Sequence, residues 1–580
     1  MTPAGHITIV EPPFLEPSLA RPDAWHVAAM ASQCGVSARV LDLNVALYRG
    51  LLTEEQETLR RLDRDDLIES CASAFFVDPQ ALRACLASQA PVPPGFPPSV
   101  RLPLAEFDVA RFVKLAREAL ARFDGAGGRM PSHAEYVRDQ ETINALLEAR
   151  VRAHDPSAHL SLSRFSSDLN PWDAEQVLAA IGSGGSVLDR LYDAALRRSA
   201  ELGELGRVLV VISQEAQLLP GIALASWLRR TLGAQVTLTG DHLDIVLQQR
   251  FFPELLELMD DVLAYRFEYG GRAWLIGDPD PFLLSQGAKR WPEFDCREKT
   301  LEPERCIVAD GEARRCLGPL PVAAMRVTRR CYWSRCGFCL AATTARYATR
   351  RASVDQVVAR LDALPGRGCT HVQFLDYALP PVLVRGLAGR TRCDVRWAAQ
   401  LRFEKSYSDP DLFRRLHQAG CTQLSWGFET ASPRLLASAN KGGELRPHEK
   451  GRILRMSAEA GIANHVFVMT GLPSETDDDF QRTMRFFEQY VDCIDGAEVY
   501  AFQLRPGTGY HRNVRAFGLA PEPPQWGWQS RVPYAGTPTM EESEERVRIL
   551  TEALRPLAAA SGCNDFLEGH LVLREEMRTP

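Results

Sequence analysis

From residue 322 onward, six short apolar, β-branched segments follow one another: "VAAMRVTR", "THVQFLD", "DVRWAAQLR", "TQLSWGFE", "ANHVFVMTG" and "GAEVYAFQLRP". Between them lie stretches with helical spacing, among them "SVDQVVARLDAL", "DPDLFRRLHQAG" and "ETDDDFQRTMRFFEQYV". Two of the intervening helices end in "AG" just before the next strand, the usual glycine stop. Neighbouring parallel strands need a long crossover, which a helix supplies, so this alternation predicts a parallel sheet, open or curled into a barrel. Such a sheet gathers its βα loops at the strands' C-terminal ends, and functional residues are expected there.

The start of the chain repeats the pattern in a broken form. "HITIVEPP", a helix in "AWHVAAMASQCG" and "SARVLDLN" come first; "RVLVVIS", "LPGIALASWLRRTLG", "AQVTLTG" and a weaker strand near "DDVLAYRF" resume after residue 205. Helical stretches and the Pro-rich loop "APVPPGFPPSVRLP" fill the interval. The reading is an α/β chain: a doubly wound, Rossmann-like domain over 1–280 with a helical insertion at about 50–205, then a polar linker at 281–318. A β/α domain over 319–510 and a small C-terminal helical region over 511–580 complete it.

A net charge of -7 and a pI near 6.0 give no basic face for nucleic acid. "MTPAGHITIVEPPF" lacks the basic flank and apolar core of a signal peptide, and no apolar run reaches the roughly 18–20 residues of a membrane span. A cytoplasmic protein with reduced thiols is therefore expected. Of its 14 cysteines, Cys34, Cys71, Cys85, Cys369, Cys393, Cys421, Cys493 and Cys563 stand singly and read as small buried hydrophobes. Cys296, Cys306 and Cys316 recur every ten residues in a charged, linker-like stretch that matches no ligand pattern.

"CYWSRCGFC", residues 331–339, is different: it places three thiols in nine positions directly after the first strand of the β/α domain. Three thiolates can hold three irons of a cubane cluster and leave the fourth open to a small molecule. They can also form three-quarters of a zinc site or be unrelated core cysteines. Zinc needs a fourth ligand at short spacing, and the next histidine, His371, lies far downstream. The packing reading leaves Arg335, Gly337 and the placement at the catalytic end unexplained.

"RRCYWSRCGFC" followed by "RYATRRASVDQVVARL" resembles the cluster loop and first helix of the radical S-adenosylmethionine enzymes. The spacing, C-x4-C-x2-C, has one residue more than the superfamily's commonest form. The likeness runs on through "FLDYALPP", "WAAQLRFE", "LHQAGCTQLSWGFETAS" and "MTGLPSET" to about residue 510. It implies a partial (β/α)6 barrel in which Cys331, Cys336 and Cys339 hold a [4Fe-4S] cluster. The open iron would bind S-adenosylmethionine, whose cleavage yields a 5'-deoxyadenosyl radical, with electrons from an external flavodoxin or ferredoxin type of donor. Phe338 is expected near the adenine, Asp376 near the methionine amine, Arg402 at the methionine carboxylate, Glu429 at the amine or ribose, and Thr470, Gly471 and Pro473 against the adenine.

"ITIVEPPFLEPS", "ARVLDLNVALYRGLL", "VLVVISQEAQLLPGIALASWLRR" and "VTLTGDH" resemble the cobalamin-binding domain that precedes the barrel in one branch of that superfamily. Pro12, Pro13, Ser213, Gln214, Thr239 and Gly240 are its candidate cofactor residues at strand ends. The D-x-H-x-x-G motif that supplies a lower axial histidine is absent: "GDHLDIV" sets Asp241 beside His242, after a different strand. The glycine turn after the last strand is blurred as "YRFEYGG". The expected function is C-methylation of an unactivated carbon of a peptide or natural product, with cobalamin bound without a histidine ligand. Radical rearrangement, ring contraction or oxidation with a degenerate cobalamin domain is the alternative, and a metal-stabilised scaffold or electron-transfer protein the alternative of another class.

Overall fold

Two parallel sheets organise the computed structural model. It describes residues 6–578 apart from 54–62, 75–77, 89–108, 126–128, 198, 200–201, 204, 248, 264–273, 275–282, 286–287, 289–306, 309–312, 329–330, 343–350, 391–393, 443–444, 524 and 562–566. The Pro-rich loop, "YRFEYGG", Cys296, Cys306, Cys393 and Cys563 lie outside the described residues.

The first sheet contains β1 (Ile7–Glu11), β2 (Ala38–Asp42), β3 (Arg207–Val211), β4 (Gln235–Thr239), β5 (Asp261–Leu263) and β6 (Leu283–Ser285), ordered β2-β1-β3-β4-β5-β6. All pairs are parallel except β5–β6. "RVLVV" and "QVTLT" are buried nearly throughout, as strands covered on both faces must be. The strand order reverses direction at β1, so the crevice between the ends of β1 and β3 is the topological switch point where such sheets take ligands. The insertion returns to this sheet as a helical layer around His133–His154, whose N-terminus carries a Ser132/Glu135 capping box.

The second sheet joins β7 (Ile307–Val308), β8 (Val322–Arg326), β9 (His371–Phe374), β10 (Arg396–Arg402), β11 (Cys421–Glu429), β12 (Ala463–Thr470) and β13 (Gly496–Ala501) in sequence order. The six strands β8 to β13 run parallel, and β7 caps one edge antiparallel. The stretch read as linker thus lends one strand to each sheet. Alternation decides the faces: Val372, Phe374, Trp397, Ala399, Trp426, Val466 and Val468 pack outward under the helices. Val322, Ala324 and Ala398 turn inward instead, into the core that the N-terminal half shares with Leu567, Val572, Leu573 and Met577.

Those last residues belong to a C-terminal plug, a 3-10 turn (Glu568–Leu573) and short helix (Arg574–Arg578) that closes the base of the barrel. Glu576 meets His371 at 2.7 Å and Arg574 meets Asp495 at 2.6 Å, both near strand starts. His570 accepts from Tyr136 Oη at 2.8 Å and donates through Nε2 to the Leu317 carbonyl at 2.9 Å. Burial pushes its imidazole down to about 4, so it stays neutral and serves as a fixed donor–acceptor joint between insertion, plug and barrel.

The plug is therefore core. Truncating fully buried Leu573 to Ala should cost about 2–5 kcal/mol in urea denaturation followed by tryptophan fluorescence. The same change at exposed Leu232 should cost less than about 1 kcal/mol. Equal losses at both positions would refute this assignment.

Candidate functional site

The loop 331–339 leaves the C-terminal end of β8 and is fixed at several points. Gly337 N donates to Ala439 O at 2.7 Å, Tyr510 N to Gly337 O at 2.9 Å, and Cys339 N to Cys336 O at 3.1 Å. Trp333 Nε1 donates to Asn440 O at 2.6 Å, and Tyr332 Oη to Glu404 at 2.6 Å. The three cysteines are unpaired in disulfides; Cys336 is buried, Cys331 and Cys339 partly so. Among the described residues, no three His, Cys, Asp or Glu side chains form a single-ion site. A cubane is wider than one ion and takes its thiolates at separate corners. Burial pushes the Cys336 thiol up to about 12, against the pull of Lys441 and Arg402. Three thiols outside any disulfide, with Lys441 and Arg402 near Cys336, are a donor set that fits an iron–sulfur cluster.

Around this loop the strand ends bring most of the sequence-predicted residues together. Arg402, last in β10, is 4% exposed; Nη1 donates to Glu404 at 2.8 Å and Nη2 to Lys441 O at 2.6 Å, and the guanidinium lies 3.8 Å over the Trp333 ring. Its Nε has no hydrogen-bond partner among the described residues. Glu429, last in β11, sits at φ +62, in the left-handed region that costs a non-glycine residue about 1–3 kcal/mol, and pairs with Lys441 at 2.7 Å. Burial alone would depress the Lys441 ammonium, but Glu429 and Cys336 outweigh it and hold it above its usual value.

Phe338 and Met469 pack against one apolar cluster that includes Leu435, Leu472 and Tyr510. Thr470 donates to Ser543 O at 3.1 Å, Gly471 N donates to Glu475 at 2.6 Å, and Pro473 is buried, so this turn leans on the helix Met540–Ser561. Asp376 is placed otherwise. Its carboxylate accepts from Val327 N, Thr328 N and Thr328 Oγ1 at 2.6–3.2 Å, clamping the loop that leads to the cysteines. Burial pushes it up to about 6 despite those bonds.

Sequence reasoning missed Trp333, Glu404, Lys441 and Lys450. With Arg402 and Lys405 they line a cleft of about 480 Å³, part of it open to solvent. Arg402, Lys405 and Lys441, with Lys450 pushed toward its neutral form, still outnumber Glu404 and Glu429, an excess that suits an anionic group. The only sequence signal for Lys441 was indirect: a buried Glu429 requires a cation nearby.

At the end of the first sheet, Pro12, Pro13, Ser213, Gln214, Thr239 and Gly240 also converge. Gln217 ties the switch point: its Oε1 accepts from Ser213 N and Gln214 N at 3.0 Å, and its Nε2 donates to Glu11 at 2.6 Å and Pro12 O at 3.0 Å. Thr239 Oγ1 donates to Leu263 O, and Gly240, at φ +135, lies so close to the Ile212 backbone that a Cβ would overlap it. Glu11 Oε2 is buried without a partner among the described residues, and burial, then Asp23 and Asp42, hold that carboxyl well above its usual range. His242, 4% exposed, has an unpartnered Nε2 and is pushed down to about 4 by burial, beside Glu215 and Arg505.

The two sheets meet at these ends. Arg326 of β8 pairs with Asp23 at 2.5 Å, Arg505 with Glu215 at 2.9 Å, and Ser530 donates to Glu215 at 2.5 Å. Tyr377, 61% exposed, lies near this join, with Arg326, Asp241, Cys339 and Asp23 close enough to act on its hydroxyl.

Lys450 offers a pH test of the cleft. Its amine lies 3.3 Å from Phe428 O, and burial pushes it down to about 7; Glu429 resists, while Lys441 and Arg402 add to the push. Between about pH 7 and about pH 10 the folded amine binds fewer protons than the unfolded one, so stability rises with pH over that window, by up to about 1.4 kcal/mol per unit. Lys450→Met should flatten that rise in urea midpoints; an unchanged slope would show Lys450 to be charged in the fold.

Comparison with known proteins agrees with this geometry. Residues 325–487 match the family model of the radical SAM superfamily. Over 115 residues the chain is 31% identical to the heme chaperone HemW of Mycobacterium tuberculosis, covering 19% of this chain and 28% of that protein. Over 189 residues it is 24% identical to the bacteriochlorophyllide d C-12(1)-methyltransferase of Chlorobaculum tepidum, covering 31% and 40%. The chain thus spans less than half the length of these curated relatives. The radical S-adenosylmethionine methyltransferase TsrM from Kitasatospora setae, solved with cobalamin and a [4Fe-4S] cluster bound, superposes with a TM-score of 0.50 at 13% identity, over 99% of this chain and 98% of that one. Residues 325–487 thus carry the match to the radical SAM superfamily, and the chain as a whole shares the fold of TsrM.

Proposed function

We propose that this chain is a cobalamin-dependent radical S-adenosylmethionine enzyme that methylates an unactivated carbon of a small-molecule or peptide substrate. The observation that carries this reading is that the cysteine-loop end of the barrel and the switch-point end of the first sheet are joined by the Arg326–Asp23 and Arg505–Glu215 pairs. When bound, the [4Fe-4S] cluster and S-adenosylmethionine supply a radical and a methyl group, and cobalamin carries the methyl group. The chain's own residues bind and orient. Cys331, Cys336 and Cys339 would hold the cluster; Lys441 and the Nε of Arg402 would receive the carboxylate of S-adenosylmethionine, and Glu429, held by Lys441, its amine. Phe338, Thr470, Gly471 and Pro473 would take the adenine, and Asp376 fixes the cysteine loop from behind. Pro12, Pro13, Ser213, Gln214, Thr239 and Gly240 border the crevice for cobalamin. Setting both cofactors at the facing ends of the two sheets would convert encounters between separate molecules into a step within one assembly. Electrons come from an external flavodoxin or ferredoxin type of donor.

Anaerobically reconstituted protein should hold one four-iron cluster and cleave S-adenosylmethionine to 5'-deoxyadenosine or S-adenosylhomocysteine. Replacing Cys331, Cys336 and Cys339 together by Ala should abolish iron and cleavage, and a variant that keeps both sinks the assignment.

The N-terminal half should bind hydroxocobalamin stoichiometrically, with ultraviolet–visible and electron paramagnetic resonance spectra unchanged by His242→Ala. A spectral change would make His242 a cobalt ligand. Absence of binding at micromolar cobalamin would leave a radical enzyme whose reaction is not methyl transfer.

A further inference from the structure

The lumen below the cluster loop has one open wall, and its chemistry is specific. The register of β12 and β13 sets Phe467 beside Glu498 and Met469 beside Tyr500. Val466, Val468, Ala497 and Val499 pack outward, so the alternation turns Phe467, Met469, Glu498 and Tyr500 inward. The base of the barrel is sealed by Leu573 and its neighbours, yet on this wall Glu498 keeps 46% and Tyr500 48% of their surface. His465 Nε2 lies 3.2 Å from Glu498 Oε1. The chamber therefore offers a carboxylate between two aromatic rings.

We propose that this chamber is the substrate site, that it takes a ring-bearing small molecule carrying a protonated amine, and that Glu498 is the specificity residue receiving the ammonium. The inference rests on reading the barrel as a radical S-adenosylmethionine enzyme. Carboxylate and aromatic faces both attract an ammonium, and their combination repels a carboxylate placed at the same point. The cationic cleft at Arg402, Lys405, Lys441 and Lys450 has the opposite preference. The mouth of the barrel thus separates an anion-seeking corner from a cation-seeking wall. Met469 and Phe338 of the cluster loop pack against one apolar cluster, which places this wall on the same side of the barrel as that loop.

The test is isothermal titration of the full-length, iron-loaded protein at neutral pH with phenethylamine and tryptamine, each against its matched alcohol, 2-phenylethanol and tryptophol. The amines should bind at least about tenfold more tightly than the alcohols, the advantage of a charge-assisted hydrogen bond. Glu498→Gln, a change on a half-exposed edge position checked for folding by circular dichroism, should erase that difference while leaving alcohol binding in place. Tyr500→Leu should weaken the amines more than the alcohols. No binding of either amine, equal binding of amine and alcohol, or a preference surviving in Glu498→Gln each overturns the inference. Iron content and S-adenosylmethionine cleavage measured on the same samples separate its failure from failure of the radical reading.

Discussion

Asp23 and Arg326 meet across the join between the two sheets, and the site depends on that contact. Asp23 lies in the first turn of the helix that follows β1; Arg326 ends β8, five residues before Cys331. Side-chain exposures of 7% and 19% leave the pair mostly desolvated, so losing one partner strands the other charge inside protein, a penalty of about 3–5 kcal/mol. The pair also sets direction. Parallel strands all end on one side, and an ion pair joining the ends of β1's helix and β8 turns the ligand-bearing edges of the two sheets toward each other.

The β-α rhythm was legible because parallel strands buried on both faces must be apolar throughout and must be joined by helices. The cysteine loop was legible because ligand spacing is local. The plug was not: Arg21 and Glu568 pair at 2.8 Å across 547 residues of chain, and nothing in "EGHLVLREEMR" announces the base of a distant barrel. Strand β6, three residues long, fell below any periodicity, and β7 needed its partner β8 to be a strand at all. At Asp376 the position was legible and the hydrogen bonds were not. A carboxylate two residues past a strand end can face a ligand or its neighbour's loop, and here the register of β8 against β9 brings Val327 and Thr328 within reach.

The charges that sequence could not place explain why the two ligand-bearing edges differ. At the barrel mouth, Arg402, Lys441, Trp333 and Glu404 lock one another: the guanidinium is stacked on the indole, forked between a carboxylate and a carbonyl, and left with one free donor. Such a group recognises an anion without having to reorganise. At the switch point, Glu11 and Asp42 are register partners, and burial raises both, Asp42 to about 6. Glu11 there is held toward its neutral form, Asp42 at about 6 still carries most of its charge at neutral pH, and Gln217 ties the strand ends through its amide. One edge is a cationic field at the barrel mouth, the other a polar cradle that leans acidic.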